Sequence, residues 1–320
     1  MLSDAPKSVY LKDYKAPIFT IETVDLHFNL FEDHTRVKSE LNIIRNSKTV
    51  VEEPLELVGE DLVLESIFVN DKELNSQEYQ INPTSLIIYK IGNSAKIKIT
   101  TIIKPQENTK LEGLFKSSGN FCTQCEAAGF RRITYYLDRP DVMSKFSTTI
   151  EADKNKYPVL LSNGNPVKSG ELSDGRHFMT WHDPFPKPSY LFALVAGQLL
   201  YLEDFFKTMT GRKVQLRIYV EKENIDQCQH AMNSLIKAMQ WDETRFSREY
   251  DLDYYNIVAV NDFNMGAMEN KGLNVFNLKF IVADPTTATD ERLLFVQGVV
   301  AHEYFHNWTG NRITCQDWFQ

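Results

Sequence analysis

Residues 23–30 alternate without a break. Val24, Leu26, Phe28 and Leu30 are apolar, and Thr23, Asp25, His27 and Asn29 between them are polar. A period of two puts successive side chains on opposite faces of a strand, so this segment fits a half-buried β-strand and not a helix. The alternation resumes after a polar stretch at 32–35, through Val37, Leu41 and Ile43. Two such runs around a short polar turn predict a hairpin with one wet face. Further strands are expected at 62–69, 86–91, 95–103 and 177–181, with Asn70-Asp71 and Gly92-Asn93 as turns. Many short strands and few helix-length patterns predict a β-rich amino-terminal domain built from saddle- or sandwich-like sheets.

The character changes after a proline cluster (Pro184, Pro186, Pro188) and the apolar run at 190–195. We place a boundary at 197–200, giving a β-rich domain over 1–198 and a second domain over 199–320. Two domains suit 320 residues at roughly 100–200 residues each. Val214, Leu216, Ile218 and Val220 mark another alternating strand. Ala231, Leu235, Ile236, Met239 and Phe246 then recur close to every 3.6 residues, which predicts a helix over 225–250. The run 256–260 reads as a buried strand.

The clearest chemical signal is His302-Glu303-Tyr304-Phe305-His306. On a helix, residues four apart share a face, so both imidazoles point the same way and a carboxylate stands beside them. Two neutral imidazoles suit Zn²⁺, and the carboxylate suits a general base acting on a metal-bound water. A helix start is visible at Asp284-Pro285 and Thr287 to Thr289. Acidic Asp290 and Glu291 follow, and Leu293, Val296, Val300 and Tyr304 form an apolar stripe; the helix is expected to cover 293–308. The continuation H-E-x-x-H-x-x-G-x-x-H does not apply, because Gly310 comes one place late and Arg312 stands where a histidine is needed. No glutamate follows Glu303. Asp317 is the one later carboxylate and reads as a solvated loop acid.

Gly266-Ala267-Met268-Glu269-Asn270 is a small-residue segment suited to a strand edge, along which an extended peptide could pair. Glu269 could meet an amine there, or it could be an ordinary solvated acid. Cys122-x-x-Cys125 has no second pair and no thioredoxin-like surroundings, so it reads as packing; Cys228 and Cys315 read as free thiols. His27, His34, His177, His182 and His230 have no partners at ligand spacing and read as structural or solvated.

Composition narrows the partners. Thirty-five basic against 43 acidic residues give a net charge of −8, which disfavours nucleic acid and is compatible with cationic ligands. No run approaches the ~18 apolar residues of a membrane span, and no signal-peptide core is visible, so no membrane partner is expected. Four cysteines are too few for a disulfide scaffold, and a cytoplasmic setting is the simplest expectation.

Taken together, the G-A-M-E-N run and the later HEYFHNWTGNR resemble the zinc aminopeptidases of the aminopeptidase N family (gluzincins), its bacterial members most of all. The stretches 124–142 and 187–197 resemble the same family. The resemblance implies a β-rich amino-terminal domain followed by a thermolysin-like catalytic domain of α+β type. It implies one Zn²⁺ held by His302, His306 and a glutamate at position 325, past Gln320. The chain is therefore expected to be an amino-terminal portion, truncated before its third zinc ligand and inactive alone. By the same resemblance Glu303 is the general base. Glu269 and Glu126 read the substrate's α-ammonium with Gln124 nearby, Gly266 and Ala267 offer backbone groups, and Met265 lines the first specificity pocket. The implied activity is removal of amino-terminal residues from peptides with a free amino terminus, by a monomer. An epoxide hydrolase of the same superfamily and a non-catalytic module that captures peptide termini are the competing readings.

Overall fold

The alternating segment at 23–30 lies within a strand, Phe19–Leu30, that pairs antiparallel with Thr35–Arg45 through a turn at 31–34. In the computed structural model, which describes residues 8–46 and 53–319, this hairpin sits in the middle of an eight-stranded sheet. Phe19–Leu30 pairs in parallel with Ser144–Asp153 on its other side. The expected strands at 62–69 and 95–103 form as Val63–Val69 and Ser94–Ile103 in the same sheet. The strand expected at 86–91 is shorter, Ser85–Ile88, and belongs to a separate three-stranded sheet. The strand expected at 177–181 is longer, Arg176–Lys187, and runs through Pro184 and Pro186. Those prolines are tolerated because pairing with Ser144–Asp153 is irregular there, with a register shift between Ser144 and Phe146. The apolar faces enclose a core in which Phe130 meets Tyr136, Phe192 and Phe146 at ring-centroid distances of 4.9, 5.3 and 6.0 Å.

A four-stranded sheet follows in the order Val159–Ser162, Leu194–Gly197, Asn120–Gln124, Gly113–Ser117. A five-stranded sheet has the order Leu200–Lys207, Lys213–Val220, Tyr254–Val260, Leu273–Asn277, Ala267–Met268. Its three inner strands are mutually parallel, and the crossover from Lys213–Val220 to Tyr254–Val260 carries helix α1, Gln229–Phe246. The near-continuous apolar run at 257–260 follows from burial on both faces. Ile257 and Ala259 pack on the helical side, whereas Val258 and Val260 pack toward the four-stranded sheet. The chain is thus a mostly β amino-terminal region followed by an α+β region.

Two helical expectations need correction. Residues 222–227 form a 3₁₀ helix ahead of α1, so Ile225 lies outside the α-helix; the helix ends at Phe246 because Ser247 takes a left-handed backbone (φ 54°). Phe246 is not core: it is half exposed and stacks with Trp241 and Phe305 on the surface, at 5.6 and 5.9 Å. Helix α1 also buries two neighbouring acids. Glu243 accepts a hydrogen bond from the Met209 backbone N–H at 2.8 Å, whereas Oδ2 of Asp242 has no partner. Among the described residues no helix is long and apolar enough to cross a membrane.

Candidate metal and peptide-terminus site

Helix α2, Asp290–Phe305, starts as its sequence predicts. Thr289 Oγ1 accepts from the Arg292 backbone N–H at 3.2 Å, and Asp290 and Glu291 occupy the first turn. Val296, Val300 and Tyr304 are buried against the five-stranded sheet and α1, and Leu293 is partly buried. The helix stops at Phe305, three residues before the expected 308. His306 is its C-cap, in helical conformation and hydrogen-bonded to the His302 carbonyl, so the two histidines still lie one turn apart.

Their Nε2 atoms converge to 3.1 Å. His306 Nδ1–H donates to the Thr309 carbonyl at 2.8 Å, which leaves Nε2 of His306 as the lone-pair nitrogen. Gly310 makes this arrangement possible. Its φ is +132°, and a Cβ there would stand 2.6 Å from His306 Nδ1. Two imidazole nitrogens bound tetrahedrally at ~2.05 Å from one ion stand about 3.3 Å apart, so the pair fits a zinc ion as two of its donors. Among the described residues no group of three His, Cys, Asp or Glu is placed to hold a metal. Asp317 does not join the histidines in such a group; its Oδ1 accepts from the Phe319 N–H at 2.8 Å.

Glu303 points into the protein and is 6 % exposed, and its Oε2 has no hydrogen-bond partner. Burial, and then the charges of Glu269 and Glu126, push its carboxyl up to about 8. Glu126 is likewise raised by burial and by Glu269, with His306 pulling the other way. Glu269 Oε1 lies 3.9 Å from His306 Nδ1. Three carboxylates thus come within electrostatic reach of one another and of the imidazole pair, an arrangement that favours a cation among them.

The remaining predicted residues surround this group. Gln124 is fully buried and donates from Nε2 to the Glu126 carbonyl (3.2 Å) and to Met265 Sδ (3.0 Å); its Oε1 has no partner. Met265 is half exposed. Ala267–Met268 is the outermost strand of the five-stranded sheet, paired with Phe276 and Val275 on one side. At Gly266 a Cβ would press to 3.1 Å from the Phe280 ring. Cys122 and Cys125 are fully buried free thiols, raised by burial and unsuited to redox or metal work. The other histidines have local partners: His27 with Glu151, His34 with Asp33, His177 with the Tyr157 carbonyl, His182 with Ser147 and His230 with the Leu293 carbonyl.

Sequence reasoning missed the polar frame behind the site. Lys271 is buried, and its Nζ donates to Asp251 Oδ1 at 2.6 Å and to Asn307 Oδ1. Arg312 Nε donates to Asp251 Oδ2 at 2.5 Å, and Asn311 Nδ2 donates to the Glu269 carbonyl at 2.9 Å. The available signal was a lysine between Asn270 and Gly272 at the entry to a buried strand, together with the late glycine at 310.

Comparison with known proteins places the chain in a family. Residues 22–191 match the peptidase M1 N-terminal domain, and residues 230–320 match the peptidase family M1 domain. The chain is 54 % identical over 320 residues to aminopeptidase N of Caulobacter vibrioides, covering all of this chain and 37 % of that protein. It is 52 % identical over 319 residues to aminopeptidase N of Escherichia coli, covering 100 % of this chain and 36 % of that one. The fold superposes on the crystal structure of Legionella pneumophila aminopeptidase A in complex with aspartic acid with a TM-score of 0.92. The two are 40 % identical, and the match covers 97 % of this chain and 36 % of that one. The chain spans little more than a third of the length of these relatives.

Proposed function

Because the chain belongs to peptidase family M1, we propose that it carries the amino-terminal and zinc-helix portions of a metallo-aminopeptidase that removes residues from peptides with a free amino terminus. The observation that carries this reading is the convergence of the His302 and His306 Nε2 atoms beside buried Glu303, with Glu269 and Glu126 facing the same space. His302 and His306 would hold Zn²⁺ together with a third donor that the described residues do not supply. When bound, the ion supplies Lewis-acid polarisation of the scissile carbonyl and a more acidic water.

The chain's own groups do the rest. The substrate's α-ammonium offsets the Glu269 and Glu126 charges that help hold Glu303 protonated, and the freed carboxylate accepts a proton at its unpartnered Oε2 and returns it to the leaving amine. Glu269 and Glu126 hold the α-ammonium, whose charge relieves their mutual repulsion. Gln124 fixes the Glu126 carbonyl and the Met265 thioether; Met265 then offers an adaptable wall to the first side chain. Gly266 and Ala267 present the sheet edge to the substrate backbone. We take 1–198 and 199–320 as two domains, a division supported by Leu194–Gly197 and Leu200–Lys207 belonging to different sheets. We further propose a cytoplasmic monomer without nucleic-acid or membrane partners, supported by the charge of −8 and four free cysteines.

The test is metal analysis combined with hydrolysis of an aminoacyl fluorogenic substrate, free or N-acetylated, by the protein expressed from its complete gene. Zinc with turnover of the free substrate alone supports the reading. Zinc with epoxide opening and no peptide turnover, or peptide binding without metal, refutes it. Glu303→Gln should keep zinc and lower turnover by ~10²–10⁴; unchanged turnover would remove Glu303 from its role.

A further inference from the structure

Three segments supply the groups of the proposed site; Lys271 ties the Glu269 segment to the end of the histidine helix, and its carbonyl is held by a residue of the sheet that carries Gln124. Gln124 and Glu126 lie on and just after the strand Asn120–Gln124 of the four-stranded sheet. In that same sheet Asn163 follows Val159–Ser162, accepts from the Ala193 N–H at 2.8 Å, and donates to the Leu191 carbonyl at 2.9 Å. The same amide donates to the carbonyl of Lys271 at 2.8 Å. Lys271 stands two residues after Glu269. Its side chain reaches the other way, to Asn307 immediately beyond His306 and to Asp251, which Arg312 also grips. A second tie runs parallel: Asn311 N–H donates to the His306 carbonyl at 3.0 Å, and Asn311 Nδ2 donates to the Glu269 carbonyl at 2.9 Å. The backbone has been shaped for this junction. Gly272 holds φ +75°, and a Cβ there would stand 3.3 Å from the Gly164 nitrogen.

An ammonium 1 % exposed is an expensive way to fill a core, where methionine would occupy a similar volume. What a charged, multiply bonded group offers instead is a fixed geometry. Exopeptidase chemistry needs such a fixed distance, because the span from the bound α-ammonium to the hydrolytic groups decides which peptide bond is presented. On the basis of the proposed aminopeptidase reading, we propose that Lys271 is a positioning residue. It clamps the Glu269 carboxylate at a set distance from the His302–His306 pair, and thereby makes the site a one-residue ruler.

The experiment separates spacing from either end alone. Lys271→Met keeps the aliphatic stem and leaves Asp251 bonded to Arg312. In the full-length protein, calorimetry measures three probes: zinc itself, acetohydroxamate as a metal-end ligand, and leucine hydroxamate, which spans the ammonium and metal ends. Zinc and acetohydroxamate should bind within threefold of the parent, while leucine hydroxamate should weaken at least tenfold. Activity on a free aminoacyl substrate should fall about 10- to 100-fold in kcat with KM changed less than threefold, as displacement of reacting groups predicts. Equal retention of the bridging ligand, or equal loss of all three, overturns the clamp. Asn311→Ala cuts only the parallel tie and serves should Lys271→Met not fold; it should weaken leucine hydroxamate about threefold to tenfold with zinc unchanged, and no selective loss overturns the proposal. Absence of zinc binding in the parent protein would instead count against the aminopeptidase reading itself.

Discussion

Asp242 gives the fold a testable dependence on pH. It lies on α1, is 3 % exposed, and has an Oδ2 without a partner, and burial alone raises its carboxyl from 3.8 to about 6. The folded chain therefore keeps this proton to higher pH than the unfolded chain. The stability that goes with the protonated group is fully present below pH 3.8 and is lost as pH rises through about 6. At about 1.4 kcal/mol per pH unit the ceiling is ~3 kcal/mol. Relaxation of the surroundings around the charged form recovers part of that, leaving ~1–2 kcal/mol. Asp242→Asn removes the charge at nearly constant volume. The variant should match the parent near pH 4, gain about half the full difference at pH 5, and melt about 1.5–3 °C higher at pH 7.5. Thermal melts of both proteins at these three pH values are the assay. A difference that does not vary with pH, or a variant less stable at pH 7.5, would refute the reasoning.

Other outcomes follow from close contacts. Gly310→Ala should weaken zinc binding at least ~10-fold in a chelator competition, because the added Cβ drives the His306 ring out of line. Gly164→Ala should cost ~2 kcal/mol or more and lower the melting temperature, since φ is +89° and the new Cβ would stand 2.2 Å from the His182 carbonyl oxygen. Phe130→Ala should cost ~3–5 kcal/mol in denaturant unfolding by opening a cavity among Tyr136, Phe146 and Phe192.

The residues explain which parts of the molecule were legible beforehand. The pattern at 23–30 fixed a strand because one face is wet, and the histidine pair fixed a helix with both imidazoles on one face because four-residue spacing has one geometric meaning. The strand expected at 177–181 is too short: Pro184 and Pro186 sit inside Arg176–Lys187, where an irregular register frees them from donating hydrogen bonds. Phe246 fitted a helical stripe by spacing, yet its place at the end of α1 turns it toward Trp241 and Phe305 on the surface. The frame of Lys271, Asp251, Asn307 and Arg312 was invisible. Its members come from three stretches of chain with no common period, and a buried lysine cannot be told from an exposed one until its partners are known.

The sheet margin at Ala267–Met268 has a consequence for what kinds of molecule the protein would treat alike. With only two residues of strand, this margin offers a guest backbone about two hydrogen bonds, each worth ~1 kcal/mol net. Downstream portions of a long guest would then add little grip. On the proposed aminopeptidase reading, discrimination would fall on the first position and its charged tip, so a dipeptide and a twenty-residue fragment sharing the same leading residue should be trimmed at comparable efficiency.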